Sequence, residues 1–194
     1  MRAVAGRVRA DFDGPDRAPP GALSDRRNNL SAWAGLAVAA GGAATGGDGA
    51  LLDWGAGRLR AQLAQVTPEG ALPQELARGR LALHYHLFAL GPIAATERVL
   101  AGEGVALSEG ERDALRRLTR FVLDGARDPS RVAALAGGAE QVDPWNPDRP
   151  RLHAAAGLEV RARAEPDPAL DAALAPFRPY RARWLGGAVT GAAW

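Results

Sequence analysis

The chain has 194 residues, 47% of them hydrophobic, with a formal net charge of +2. That length and apolar fraction suit one sizeable core, and the near-balanced charge, with no basic stripe interleaved with aromatics, argues against nucleic acid as a partner. The absence of cysteine excludes disulfides and thiolate metal sites.

Met1 to Phe12 is expected to form an amphipathic helix broken by Asp13-Gly14-Pro15. Residues 1–20 lack a signal-peptide core, because Arg2, Arg7, Arg9, Asp11, Asp13 and Asp16 interrupt them. Ser24 or Asp25 is expected to cap a second helix from about Arg27 to Ala44, stopped by Thr45-Gly46-Gly47. Its apolar run, Ala32 to Ala44, is too short and Gly-rich to span a bilayer, so no membrane partner is expected. Asp48 then caps a third helix, burying Leu51, Leu52, Trp54, Leu59 and Leu63 and exposing Arg58 and Arg60. After the turn Thr67-Pro68-Glu69-Gly70, Pro73 opens a fourth helix, Gln74 to about Leu90, with room to continue past Pro92 through a kink. Ser108 caps a fifth, striped by Leu115, Leu118, Val122 and Leu123 and ending near Asp128-Pro129; a short helix covers Arg131 to Leu135. Pro144, Pro147 and the flanking Pro150 make Asp143 to Arg149 a loop. Helices fit Leu152 to Arg163 and Pro168 to Leu174, and the tail from Pro176 to Trp194 reads as irregular and docked by its aromatics. Abundant Ala and Gly, with no strand periodicity, predict an all-α protein of antiparallel helical hairpins, in a bundle or a toroid.

The fourth helix holds the most chemistry. Arg78 and Tyr85 are seven residues apart, about two turns, which would put a guanidinium and a phenol on one face roughly ten ångströms apart. The same spacing also fits a surface arginine and a half-buried tyrosine. His84 and His86 flank Tyr85 but point to nearly opposite sides of a helix; with His153 the only other histidine and no acidic cluster nearby, no metal site is expected. One imidazole is expected to pack inside and the other to face a groove. Asn28 and Asn29, at the start of the second helix, either cap it or offer N–H donors to a bound carboxylate. Trp33 and Trp54 fit the core, or the lip of a groove where an indole stacks on a sugar ring. All 24 basic residues are arginine, a planar and permanently charged fork suited to carboxylates.

An ordered series runs through this region. It comprises Arg27-Asn28-Asn29, Trp33-Ala34-Gly35, Ala43-Ala44-Thr45, Leu52-Asp53-Trp54-Gly55, Leu63-Ala64-Gln65-Val66, Gly70-Ala71-Leu72-Pro73, Glu75-Leu76 with Arg78, Ala82-Leu83-His84-Tyr85-His86 and Phe88-Ala89-Leu90. In this order the segments resemble the alginate lyases of polysaccharide lyase family 5, the poly-mannuronate lyases. The tail's Phe177 and Leu185-Gly186-Gly187-Ala188-Val189-Thr190 are a fainter echo. The resemblance implies a partial (α/α) toroid that binds an anionic polysaccharide and cuts a polyuronate by β-elimination, without metal or other cofactor. By position, Tyr85 would be the acid and base, Asn29 would neutralise the substrate carboxylate, and Arg78 would assist beside the phenol. Asn28, His84, His86 and Trp33 would bind substrate.

It divides the chain into an N-terminal helix and linker (1–26), a lyase-like helical region (27–142) and C-terminal helices with a tail (143–194), and implies a periplasmic or secreted location. Two departures stand out. The family pattern has His directly after the Asn pair, where this chain has Leu30, and the aromatic usual two positions later is Ala32. The resemblance also covers about the C-terminal half of a family member, which predicts either a missing N-terminal half or exposed apolar faces covered by a homo-oligomer. The expected activity is therefore a lyase on mannuronate-rich alginate or a related polyuronate; the alternatives are a catalytically impaired polyuronate-binding scaffold and a purely structural helical domain.

Overall fold

Small side chains set how closely the helices approach. In the computed structural model, which describes residues 1–19, 21–144 and 152–191, α2 (Asn29–Ala43) and α3 (Gly49–Leu63) form a hairpin whose facing positions are Gly35, Ala39, Gly42 and Gly55. A Cβ on Gly55 would lie 2.7 Å from that of Ala39 and 3.0 Å from the Gly35 carbonyl oxygen, so only glycine permits this spacing. α1 (Arg2–Phe12) lies across the hairpin and forms a small separate cluster, with Ala5 and Val8 against Val38, Leu51 and Trp54.

The main core is built around α5 (Ala82–Gly102), which packs on α2, α3, α6 (Glu109–Arg127) and α8 (Ala156–Ala164). Leu83, Leu87, Leu90 and Ile93 of α5 meet Leu52, Leu59 and Leu63 of α3, Leu115, Leu118 and Val122 of α6, and Leu158 of α8. α5 continues past Pro92, as the sequence allowed, and ends at Gly102. α6 begins in the expected place: Ser108 accepts from the Glu111 N–H and the Glu111 carboxylate accepts from the Ser108 N–H, so each satisfies an otherwise orphan donor. α7 (Pro129–Leu135) and α9 (Pro168–Leu174) each open on a proline preceded by an aspartate cap. In the tail, a two-residue ribbon pairs Arg181–Ala182 with Gly187–Ala188, and buried Glu159 anchors it through Arg178 and Thr190.

The structure corrects several expectations. The second helix starts at Asn29, not Arg27, and its cap is Asn28, whose side chain accepts from the Leu30 N–H. Asp48 makes no side-chain cap and instead pairs with Arg2. Arg58 is half-buried, stacked over Trp54 and donating to the Phe12 carbonyl at 2.7 Å. The fourth helix is not continuous. It is a four-residue turn, α4 (Pro73–Leu76), followed by a 3-10 turn over Gly79–Leu81 and only then α5. Most of the proline loop after Asp143, the His153 side chain and residues 192–194 lie outside the described residues. No described helix is long and apolar enough to cross a membrane.

Candidate active site

The break between α4 and α5 builds the site. Gly79 has φ +56°, a left-handed backbone that glycine adopts without a Cβ penalty and that ends the helical path. The chain turns there, so Arg78 does not sit two turns below Tyr85 on a shared helix as the spacing predicted. Its guanidinium folds over the Tyr85 ring, 4.3 Å from the centroid, in a cation–π contact. The two groups touch where a separation of about ten ångströms was expected.

Behind this pair lies Glu75, 1% exposed. Its carboxylate accepts the Asn29 backbone N–H at 2.7 Å and the Asn29 side-chain amide at 3.4 Å to each oxygen, and stands 3.5 Å from the Arg78 Nε. Burial pushes the Glu75 carboxyl above the usual carboxylate range, while the Asn29 N–H and the Arg78 charge pull against that rise. Asn29 and Arg78, far apart in the chain, are therefore held by one buried carboxylate. Glutamines strap the approach to α2 against the body: Gln74 accepts from the Ser24 N–H, Gln62 donates to the Arg27 and Asn28 carbonyls, and Gln65 donates to the Arg27 carbonyl. Glu75 was missed as a site residue, although its i, i+3 spacing to Arg78 was a readable signal.

The two histidines take opposite fates. His84 is half-buried, its ring edge-on to Tyr85 (5.3 Å) and parallel to Phe88 (6.3 Å). Phe88 in turn packs on Trp33 at 5.2 Å. Trp33, Phe88, His84, Tyr85 and Arg78 thus form one continuous ladder of flat groups. Next to Trp33, an apolar hollow of about 310 Å³ is lined by Leu36, Val99 and Trp184. His86, expected to bind substrate, is wholly buried and structural. Its Nε2 accepts the Leu72 N–H at 2.9 Å, which leaves the proton on Nδ1 to donate to the Ala82 carbonyl at 2.8 Å. Asn28 is likewise not a surface donor: it is buried, caps α2 and donates to Asp25. Leu30, one residue beyond Asn29, is exposed. No group of three or more His, Asp or Glu able to hold a metal occurs among the described residues.

Burial lowers the His86 pKa from 6.5 to about 4. A depressed folded-state pKa contributes stability above the unfolded value and loses it as pH falls, here over the window from 6.5 to about 4. The loss should reach about 3 kcal/mol at the acid end. Glu75 acts with the opposite sign, since a raised carboxyl loses its contribution as pH rises. The wild-type minus His86→Gln difference in urea midpoint across this window isolates the histidine; a difference independent of pH would contradict the assignment.

An all-α arrangement of this kind is shared with solved polysaccharide lyases. The structure superimposes on alginate lyase A1-III from Sphingomonas species A1 with a TM-score of 0.71 at 21% identity, covering 97% of this chain and 50% of that one. A histidine-to-alanine variant of alginate lyase A1-III, complexed with tetrasaccharide, gives a TM-score of 0.74 at 22% identity. The alginate lyase family model matches residues 20–132. A polysaccharide lyase of Stenotrophomonas maltophilia strain K279a is 33% identical over 165 residues, covering 85% of this chain and 47% of its own length. An alginate lyase of Pseudomonas entomophila strain L48 is 41% identical over 113 residues, covering 58% of this chain and 30% of its own. The chain belongs to the alginate lyase family, has the (α/α) toroid fold, and spans half or less of the length of these relatives.

Proposed function

We propose that the chain acts on a polyuronate of the alginate type by β-elimination centred on Tyr85. The observation that carries this reading is the guanidinium of Arg78 lying on the Tyr85 ring, with Asn29 tied to the same buried carboxylate. β-Elimination needs a base for the uronate C5 proton, donors to hold the C6 carboxylate as charge develops there, and an acid for the departing O4. Tyr85 as phenolate takes the C5 proton and becomes the phenol. The electron pair left on C5 forms the C4=C5 bond, the C4–O4 bond breaks, and the phenol returns its proton to O4. The tyrosine ends as it began. Arg78 is the donor for the carboxylate, joined by the Asn29 amide only when it exchanges Glu75, to which it donates in a buried position, for the substrate. The ladder through His84 and Phe88 to Trp33 offers flat faces for sugar rings.

The product's C4=C5 bond is conjugated with the carboxylate and absorbs in the ultraviolet. Incubation with mannuronan should give a steady rise in absorbance, and no rise with mannuronan, guluronan or any other uronate polymer overturns the reading. The reading also puts the chain with such polymers, in the periplasm or outside the cell, where fractionation should find it.

One observation favours a second reading, a polyuronate-binding scaffold with impaired chemistry. Leu30 is exposed where the family pattern carries His, and leucine can neither donate to a carboxylate nor move a proton. That reading predicts salt-sensitive binding to alginate, weakened by Arg78→Ala, with no cleavage. Under the first reading Leu30→His raises turnover; if it leaves a measurable turnover unchanged, the position plays no part in the chemistry.

A further inference from the structure

The geometry points to Gln141 as the residue that positions Arg78 over Tyr85, an inference that rests on the elimination reading for its catalytic consequence. The start of α5 has a deficit: Leu81 offers no side-chain cap, so its first N–H groups need acceptors from elsewhere. Gln141, 58 positions beyond Leu83, supplies one, its Oε1 accepting the Leu83 N–H at 3.0 Å. Its Nε2 donates to the Gly79 carbonyl at 2.9 Å and to the Ala139 carbonyl at 2.6 Å. The side chain is 8% exposed. A weaker contact beside it, the Val142 N–H to the Arg80 carbonyl at 3.4 Å, follows the same path.

One amide thus grips both sides of the break. It holds the carbonyl of Gly79, the residue after Arg78, and the first turn of the helix that carries Tyr85. The left-handed Gly79 backbone has no local side chain to define it, and a glycine turn without an anchor samples other conformations. On the opposite side the break is fastened by His86 to Leu72, which fixes α4 against α5, and within the turn the Gly79 carbonyl also accepts the Ala82 N–H. Gln141 adds the side-chain bond that ties this turn to a distant part of the chain. Gln141 touches neither Arg78 nor Tyr85 by any of these bonds; it acts through the backbone between them.

The test compares wild type with Gln141→Met, which keeps the volume and removes all three hydrogen bonds, and with Gln141→Glu, which keeps the acceptor for Leu83 and removes the donor to Gly79. Two readouts are taken on protein shown folded by circular dichroism. The first is the nuclear Overhauser contact between the Arg78 side chain and the Tyr85 ring protons; the second is kcat and KM on mannuronan. Loss of the contact in either variant, with kcat down roughly 10- to 100-fold and KM changed less than about three-fold, supports the positioning role. If Gln141→Met does not fold, Gln141→Glu alone carries the comparison. A contact of wild-type strength in every folded variant overturns the inference, as does a wild-type kcat in all of them. If the wild type is inactive on every uronate polymer while the contact is still lost in the variants, the elimination reading fails and the structural role of Gln141 stands.

Discussion

Tyr85→Phe is expected to abolish uronate cleavage while leaving the fold unchanged. The substitution removes one oxygen. The ring keeps its face under Arg78 at 4.3 Å and its edge against His84 at 5.3 Å, so neither the cation–π contact nor the aromatic ladder is lost. The hydroxyl, however, serves twice in the proposed cycle, as base toward C5 and as acid toward O4. Removal of a single general acid or base costs about 100- to 10,000-fold in rate, and one group filling both roles belongs at the upper end. The absorbance assay with mannuronan, at enzyme concentration raised to detect such a residue of activity, measures it. A phenylalanine variant cleaving at the wild-type rate removes Tyr85 from the chemistry. Binding of alginate should survive, because the groups that hold the carboxylate remain, and this separates the variant from Arg78→Ala.

A large loss of stability is expected at Gly157. This residue, in the first turn of α8, meets α5 where Gly91 precedes Pro92. A Cβ there would lie 2.6 Å from the Gly91 nitrogen, 2.7 Å from the Leu90 carbonyl carbon and 2.9 Å from the Gly91 Cα. All three are helix backbone atoms, so no side-chain rotation relieves the clash, and the two helices must separate. Such overpacking costs about 1–3 kcal/mol and sometimes more, so Gly157→Leu should lose about 3 kcal/mol or more. Alanine, offset by up to about 1 kcal/mol of helix propensity, should still be destabilising. Gly57 provides the contrast. It lies inside α3, and a methyl group added there would meet nothing within 4 Å. Gly57→Ala should therefore gain about 0.5–1 kcal/mol. Urea unfolding of the three variants measures all of these. Equal behaviour of Gly157→Ala and Gly57→Ala would show that the α5–α8 approach is looser than these distances imply.

Much of the helical framework was legible because its signals are local. Ser108 with Glu111 is a capping pair three residues apart, and α6 starts there. Pro168 opens α9 as expected, because a first-turn residue needs no N–H donor, whereas α7 opens on Pro129, two residues before the expected Arg131. The family series was legible for a related reason, since its order survives in the sequence whatever the fold does to it. The fourth helix was misread because every residue from Gln74 to Leu90 except Gly79 is compatible with a helix, and an isolated glycine often sits inside one. The ribbon of the tail was missed because two residues per strand leave no alternation to detect.

The candidate site divides along the same line. Periodicity alone put His84 and His86 on opposite sides of a helix, but only packing against Leu72 and Ala82 decided that His86 is the buried one. Two adjacent amides at a helix start were visible as either caps or donors; the tertiary structure made Asn28 the cap and tied Asn29 to Glu75. The sequence by itself determined which elements are helical, where most begin, and which residue types are available for carboxylate and proton chemistry, because capping and periodicity act over a few residues. Only the tertiary structure decided that Arg78 lies on Tyr85. That contact requires a left-handed glycine held by an amide from Gln141 and a carboxylate shared with Asn29, and no rule of spacing along one helix contains those partners.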